Sequence, residues 1–117
     1  MAHTLTFTTT DTGRVYETLS PLITGLQGPL PDLRLPALQE LQLNTNQFTG
    51  GLEPLRACKA LQELRMNRNQ FTGGLEPLRG FTVLHTLDLD QNKLTGGLEP
   101  LRGCTALQEL SLNNMTN

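Results

Sequence analysis

The fold is decided by residues 38–60, which read LQELQLNTNQFTGGLEPLRACKA. Residues 61–83 repeat this stretch as LQELRMNRNQFTGGLEPLRGFTV, and residues 84–106 repeat it as LHTLDLDQNKLTGGLEPLRGCTA. Self-similarity at a fixed period of about 20–50 residues is typical of solenoids, in which each repeat is one coil of chain. Because one coil cannot bury its leucines alone, it packs them against the next coil.

Composition agrees with a repetitive chain of one domain. The 117 residues include 25 leucines and no tryptophan, and 37% of them are hydrophobic. The net charge of −2 comes from interleaved charges of both signs, which argues against a nucleic-acid-binding protein with its basic stripe. No apolar run is long enough to insert into a membrane. No secretory signal is visible, which favours a cytoplasmic location.

The repeat divides the chain into units of 23 residues preceded by a weaker unit that is one residue shorter. Residues 1–15 lie outside the pattern and are predicted to be an N-terminal leader or cap. The predicted units are 16–37, 38–60, 61–83 and 84–106, followed by a partial unit at 107–117.

Within a unit, local chemistry predicts a strand, a turn and a short helical segment. Leu41 and Leu43 alternate with polar residues, which is the period of a strand with one buried face. Asn46 follows, and its amide can hydrogen-bond the backbone of a turn that forms no ladder. Pro54 comes where a short helical turn can begin, because the missing N–H costs nothing there. Leu55 and Cys58 are expected to point inward from the back of the coil.

The spacing Leu38-x-x-Leu41-x-Leu43-x-x-Asn46-x-Phe48 resembles the consensus of leucine-rich repeats. The segment from Phe48 to Leu52, with its Thr-Gly-Gly, resembles the plant-type class of that family, found in plant, algal and protist proteins. The resemblance implies an α/β fold, a right-handed leucine-rich-repeat solenoid (horseshoe). Such a fold has a parallel β-sheet on its concave face and short 3₁₀ or irregular segments on its convex face.

The resemblance also implies that outward residues of the concave strands bind a protein or peptide. Framework columns barely change between units, whereas two of the four outward columns, those that begin at Gln42 and Thr45, change chemistry at every unit. Neutral sequence drift at solvent-exposed positions predicts much the same pattern. Arg65 and Arg68 are the predicted anchors, and Arg65 is expected to face Asp88 as an exposed ion pair. The predicted binding residues are Gln42, Asn44, Thr45, Arg65, Asn67, Arg68, Asp88, Asp90, Gln91, Ser111 and Asn113.

No catalytic, metal or cofactor site is predicted. His85, Asp88 and Asp90 share one exposed stripe, but a flat sheet face lacks the enclosed cleft that perturbs pKa values. Cys58 and Cys104 occupy one column two coils apart, roughly 9–10 Å, which is too far for a disulfide. They are therefore interpreted as buried thiols. On the back, each Glu-Pro-Leu-Arg segment is expected to form an i,i+3 ion pair, giving a solvated ladder.

The sequence thus predicts a non-enzymatic protein–protein interaction module. An alternative is a structural fragment or terminal segment of a longer receptor or adaptor array whose ligand-binding units lie elsewhere. Leu107, Leu110 and Leu112 are expected to form an exposed last coil with a bare strand edge. If the chain is complete, that edge predicts end-to-end association between copies. A further alternative is an ice-binding solenoid, because Thr49, Thr72 and Thr95 form a ladder of hydroxyls at coil spacing.

Overall fold

The computed structural model describes residues 18–19 and 27–113 of the 117-residue chain. The predicted leader at residues 1–15 and the end of the partial unit, residues 114–117, lie outside the described residues. The strands of the described part are β1 (Thr18–Leu19), β2 (Gln27–Pro29), β3 (Glu40–Gln42), β4 (Gln47–Thr49), β5 (Glu63–Arg65), β6 (Thr72–Gly73), β7 (Thr86–Asp88), β8 (Lys93–Leu94) and β9 (Glu109–Ser111).

Alternate strands form one parallel sheet in the order β1-β3-β5-β7-β9. The register places Leu41 opposite Leu64, Leu64 opposite Leu87 and Leu87 opposite Leu110. Leucines 23 residues apart therefore form one column, as the repeat predicts. β1 pairs one residue out of this period, with Leu19 opposite Leu41, which is 22 residues away.

The remaining strands form two short parallel pairs, β2 with β4 and β6 with β8, on the other side of each coil. Each coil then turns through a short 3₁₀ helix, at Glu53–Leu55, Glu76–Leu78 and Glu99–Leu101. A proline lies in the first turn of each helix, which confirms the prediction for Pro54. Among the described residues, no helix has the length and apolar character needed to cross a bilayer.

The core is a continuous stack of leucine columns with aromatic rings between them. Leu41, Leu64 and Leu87 are at most 1% exposed, and the rings of Phe48 and Phe71 stack with centroids 6.0 Å apart. Full burial of such a side chain stabilises a fold by about 1.5–3 kcal/mol. Because these contacts join one coil to the next, stability depends on neighbouring coils rather than on a central core.

The last described coil lacks this cover. Leu98 is 53% exposed, whereas Leu52 and Leu75 in the same column are at most 1% exposed. Leu110 is 45% exposed at the open edge of the main sheet. The predicted exposure of the last coil is therefore confirmed for Leu110, while Leu107 and Leu112 are partly buried.

Candidate functional site

The main sheet brings the predicted binding residues together on one face, which we call the concave face. It consists of the outward side chains of β3, β5, β7 and β9 and of the residues that follow each strand. The strand register aligns two of its rows. One row is Glu40, Glu63, Thr86 and Glu109, and the next is Gln42, Arg65, Asp88 and Ser111. A third row follows where the strands end, with Asn44, Asn67, Asp90 and Asn113.

A fourth set of predicted residues lies in the turn after each strand, in an unusual backbone conformation. Thr45, Arg68 and Gln91 have φ values of 59°, 61° and 57°. Their N–H groups still donate to the next coil, for example Thr45 N to Asn67 O at 2.9 Å. The left-handed region is unfavourable for residues with a Cβ, above all for a β-branched threonine. Asparagine and glycine, the usual sequence signals of this conformation, are absent from these positions, so the residue pattern did not predict the strain.

A buried asparagine ladder closes the same turns from inside. The side chain of Asn69 donates from Nδ2 to the carbonyls of Leu43 and Met66, both at 3.0 Å. Its Oδ1 accepts a hydrogen bond from Phe48 N at 3.2 Å. Asn92 repeats this arrangement one coil later, accepting from Phe71 N. The predicted role of the turn asparagine is confirmed, and the amide also ties each turn to the preceding coil.

Arg65 does not form the predicted ion pair with Asp88, although the two residues are opposite each other in the register. Its Nη2 lies 3.4 Å from Glu63 Oε1 and 3.9 Å from Glu109 Oε2. Since β7 lies between β5 and β9, the Arg65 side chain crosses β7 to reach Glu109. The predicted Arg65–Asp88 ion pair was wrong because the long, flexible arginine side chain lets its guanidinium reach carboxylates on several strands.

Asp88 and Asp90 are instead held by neutral donors. Asp88 Oδ1 accepts from Asp90 N at 3.1 Å. Asp90 accepts from the Ser111 hydroxyl at 2.6 Å and from Asn113 N at 2.7 Å. The Ser111 hydrogen bond is the main reason that the pKa of Asp90 lies below its usual value; burial opposes this shift and Asn113 adds to it. The Asp90 carboxylate therefore stays ionised at neutral pH.

A shallow hollow of about 380 Å³ lies at one end of the concave face, and its lining includes Arg65, Thr86, Asp88, Glu109 and Leu110. A larger hollow of about 760 Å³ lies on the convex face, between Asp32, Arg34, Glu53 and Arg56. The convex hollow is an open groove that contains none of the predicted residues. Both hollows are open to solvent, so neither encloses its charged side chains.

The described residues contain no group of three or more His, Cys, Asp or Glu side chains placed to hold a metal ion. His85 Nδ1 contacts the neighbouring Thr86 hydroxyl at 3.1 Å. Cys58 and Cys104 are both free and buried, as predicted. Desolvation raises the pKa of the Cys58 thiol, which lies 3.1 Å from the Leu33 carbonyl oxygen.

The convex ion-pair ladder is present in one unit rather than three among the described residues. Arg79 Nε lies 2.7 Å from Glu76 Oε1, and its guanidinium also contacts Glu99 of the next coil. No ion pair joins Glu53 to Arg56 or Glu99 to Arg102 in the described part of the chain. Beside this face, Thr49, Thr72 and Thr95 are all exposed.

Solved structures with leucine-rich repeats share this architecture. The leucine-rich-repeat ectodomain of the receptor kinase SOBIR1 from Arabidopsis thaliana matches 86% of the chain at 31% identity, with a TM-score of 0.70. Internalin C2 from Listeria monocytogenes matches 81% at 32% identity and a TM-score of 0.63. The structure of PEPR1–AtPEP1 matches 77% at 31% identity and a TM-score of 0.70.

The chain spans 54% of the SOBIR1 ectodomain, 45% of internalin C2 and 14% of the matched PEPR1–AtPEP1 chain. No protein-family model and no curated protein sequence matches the chain. The fold is a right-handed leucine-rich-repeat solenoid with its parallel sheet on the concave face.

Proposed function

We propose that this chain is a non-enzymatic interaction module that binds a protein or peptide on its concave face. One observation carries the proposal: one row of that face differs in chemistry from coil to coil, while the core column next to it stays leucine. Gln42, Arg65, Asp88 and Ser111 form one such row, and the leucines of the adjacent column lie just below it. The similarity to PEPR1–AtPEP1, a structure named for two molecules, also supports the proposal.

The shape of the face favours a macromolecule over a small metabolite. The four strands of this face, at about 4.8 Å spacing, span roughly 14 Å and offer many parallel polar contacts. Small-molecule sites are enclosed clefts with mostly apolar walls. The concave hollow is open and has charged walls.

The repeats themselves are proposed to be of the plant type with 23-residue units. A second short strand follows the turn asparagine, as at β4 and β8, and it leads into the Thr-Gly-Gly segment. This assignment concerns the convex side and does not alter the binding face. The division into units at 16–37, 38–60, 61–83, 84–106 and 107–117 is proposed on the same basis.

The binding proposal is tested by selecting a phage-displayed library of random dodecapeptides on the immobilised chain. Gln42→Trp places a bulky ring on the concave face and is expected to weaken binding of the enriched peptides at least tenfold. Arg102→Trp puts the same ring on the exposed convex side and is expected to change binding less than twofold. Equal losses in both variants, or no enrichment, would contradict the concave-face assignment.

The exposed leucines of the last coil favour a second proposal, association with a second copy of the chain. The surfaces that cover Leu52 and Leu75 are coils of this same chain, so a coil from another copy has a suitable shape for Leu98. β9 pairs with β7 alone among the described strands, which leaves one edge for pairing. Light scattering is expected to show a mass that rises with concentration and falls on Leu98→Lys. A monomer at every concentration refutes self-association and leaves the concave face unaffected.

A further inference from the structure

The two faces of the solenoid differ in charge. The concave face carries five carboxylates, at Glu40, Glu63, Asp88, Asp90 and Glu109, against the two guanidinium groups of Arg65 and Arg68. The rest of the described chain carries four carboxylates against six basic side chains. The whole chain has a net charge of only −2, but the concave face has three more carboxylates than guanidinium groups.

We infer that the partner of the concave face is an extended protein segment whose alternate residues are lysine or arginine. This inference rests on the proposed binding function and adds the chemistry of the partner. Complementary charge speeds the approach of a partner and discriminates against wrong ones. An acidic partner would meet the excess carboxylates and be repelled.

The position of Arg65 makes the concave face still less attractive to an acidic partner. Its guanidinium lies between Glu63 and Glu109, so its charge is already compensated by two carboxylates of its own face. It therefore offers little attraction to an acidic partner. Within the described part of the chain, Asp88 and Asp90 form no ion pair; their carboxylates accept hydrogen bonds from Asp90 N, the Ser111 hydroxyl and Asn113 N.

The spacing of these two carboxylates fits an extended partner. Asp88 ends β7 and Asp90 lies two residues beyond it, a spacing of roughly 6.4–6.8 Å between Cα atoms in an extended chain. Alternate residues of an extended segment have the same separation. Two basic residues with one residue between them can thus face both carboxylates at once.

The hollow beside Asp88 can take the stem of a basic side chain. Its walls include Asp88 and Glu109, and Leu87 and Leu110 also line it. Lysine and arginine lay their methylene stems along apolar surface while the charged group reaches polar neighbours. The hollow of about 380 Å³ is large enough for one such side chain.

The dodecapeptide selection described above also tests the partner's chemistry. Enriched peptides are expected to contain Lys-x-Lys or Arg-x-Arg-type spacings well above their frequency in the unselected library. Their binding to the full chain is expected to weaken about two- to fivefold in Asp88→Asn, the range typical of one exposed ion pair. Raising the salt concentration from 0.05 to 0.5 M shortens the electrostatic screening length from about 14 to about 4 Å and is expected to weaken peptide binding further.

The matched control is Glu53→Gln, which removes the same charge from an exposed position on the convex face. A change in peptide binding below twofold in Glu53→Gln supports the inference. A loss of binding equal to that in Asp88→Asn shows an effect of net charge alone and overturns the inference. Enriched peptides that lack basic residues but lose binding in Gln42→Trp overturn the inference and leave the binding function standing. Peptides insensitive to every concave substitution overturn both.

Discussion

The ammonium group of Lys59 donates a hydrogen bond to the main-chain carbonyl of Arg79, one coil further along, at 2.8 Å. It also lies 4.9 Å from the centre of the Phe81 ring. The Arg79 backbone is extended there, with ψ of 130°, whereas Arg56 and Arg102 at the same position are helical, with ψ of −34° and −38°. One unit later Thr82 occupies the position of Lys59. The Arg102 carbonyl therefore has no equivalent lysine to donate a hydrogen bond to it.

Gly80→Ala is expected to lower the free energy of unfolding by about 1–2 kcal/mol. Gly80 has a φ of 88°, and a Cβ there would lie 3.3 Å from Lys59 Nζ. The matched control is Gly103→Ala, which changes the same Leu-Arg-Gly sequence at a position with open space and no left-handed φ. Urea unfolding of both variants measures the difference. Equal effects would refute the role of the backbone at Gly80.

Asn69→Ala is expected to lower the free energy of unfolding by about 3 kcal/mol, because it leaves buried backbone groups of two coils without partners. Asn69→Asp is expected to cost a similar amount, since a carboxylate can accept from Phe48 N but cannot donate to the Leu43 carbonyl. Asn44→Ala, at an exposed position, is the control and should stay within about 0.5 kcal/mol. Thermal and urea unfolding give these values, and a stable Asn69→Asp would contradict the donor role.

Thr45→Asn is expected to raise the free energy of unfolding by about 0.5–1 kcal/mol. Asparagine tolerates the left-handed backbone that Thr45 adopts at a φ of 59° far better than a β-branched residue does. Thr49→Asn makes the same exchange at an exposed position of β4, where threonine is favoured, and should be neutral or slightly destabilising. Matching urea midpoints for the two variants would argue against strain at Thr45.

Asp90 is expected to contribute stability that disappears in acid. Because its pKa in the folded chain is below the ordinary value of 3.8, the contribution is present above that value and is lost as the pH falls through the folded pKa. The stability difference between the wild-type chain and Asp90→Asn should therefore shrink below about pH 4. NMR titration should show the pKa of Asp90 rising in Ser111→Ala. An unchanged pKa would exclude the Ser111 hydroxyl as the main cause.

The repeat was enough to predict the coil, the strand columns and the turn asparagines, because each depends on residue type at a fixed spacing. Leu41 and Asn69 could be placed before any coordinates were known. The ion-pair partner of Arg65 could not be predicted, because the register determines where its Cα lies but not which of several carboxylates its flexible side chain reaches. The Lys59–Arg79 contact was also missed, because it depends on a single peptide rotation that the identical Leu-Arg-Gly at 101–103 does not make.

The asparagine ladder has a directional consequence for the mechanics of the molecule. Asn69 accepts a hydrogen bond from Phe48 N of the coil before it, and Asn92 accepts one from Phe71 N, so the turn of each coil is stabilised by the asparagine of the next coil. Pulling the chain from its C-terminal side removes that asparagine before the turn that it stabilises. Stretching should therefore peel the stack in single-coil steps, each releasing about 23 residues or roughly 80 Å of contour length.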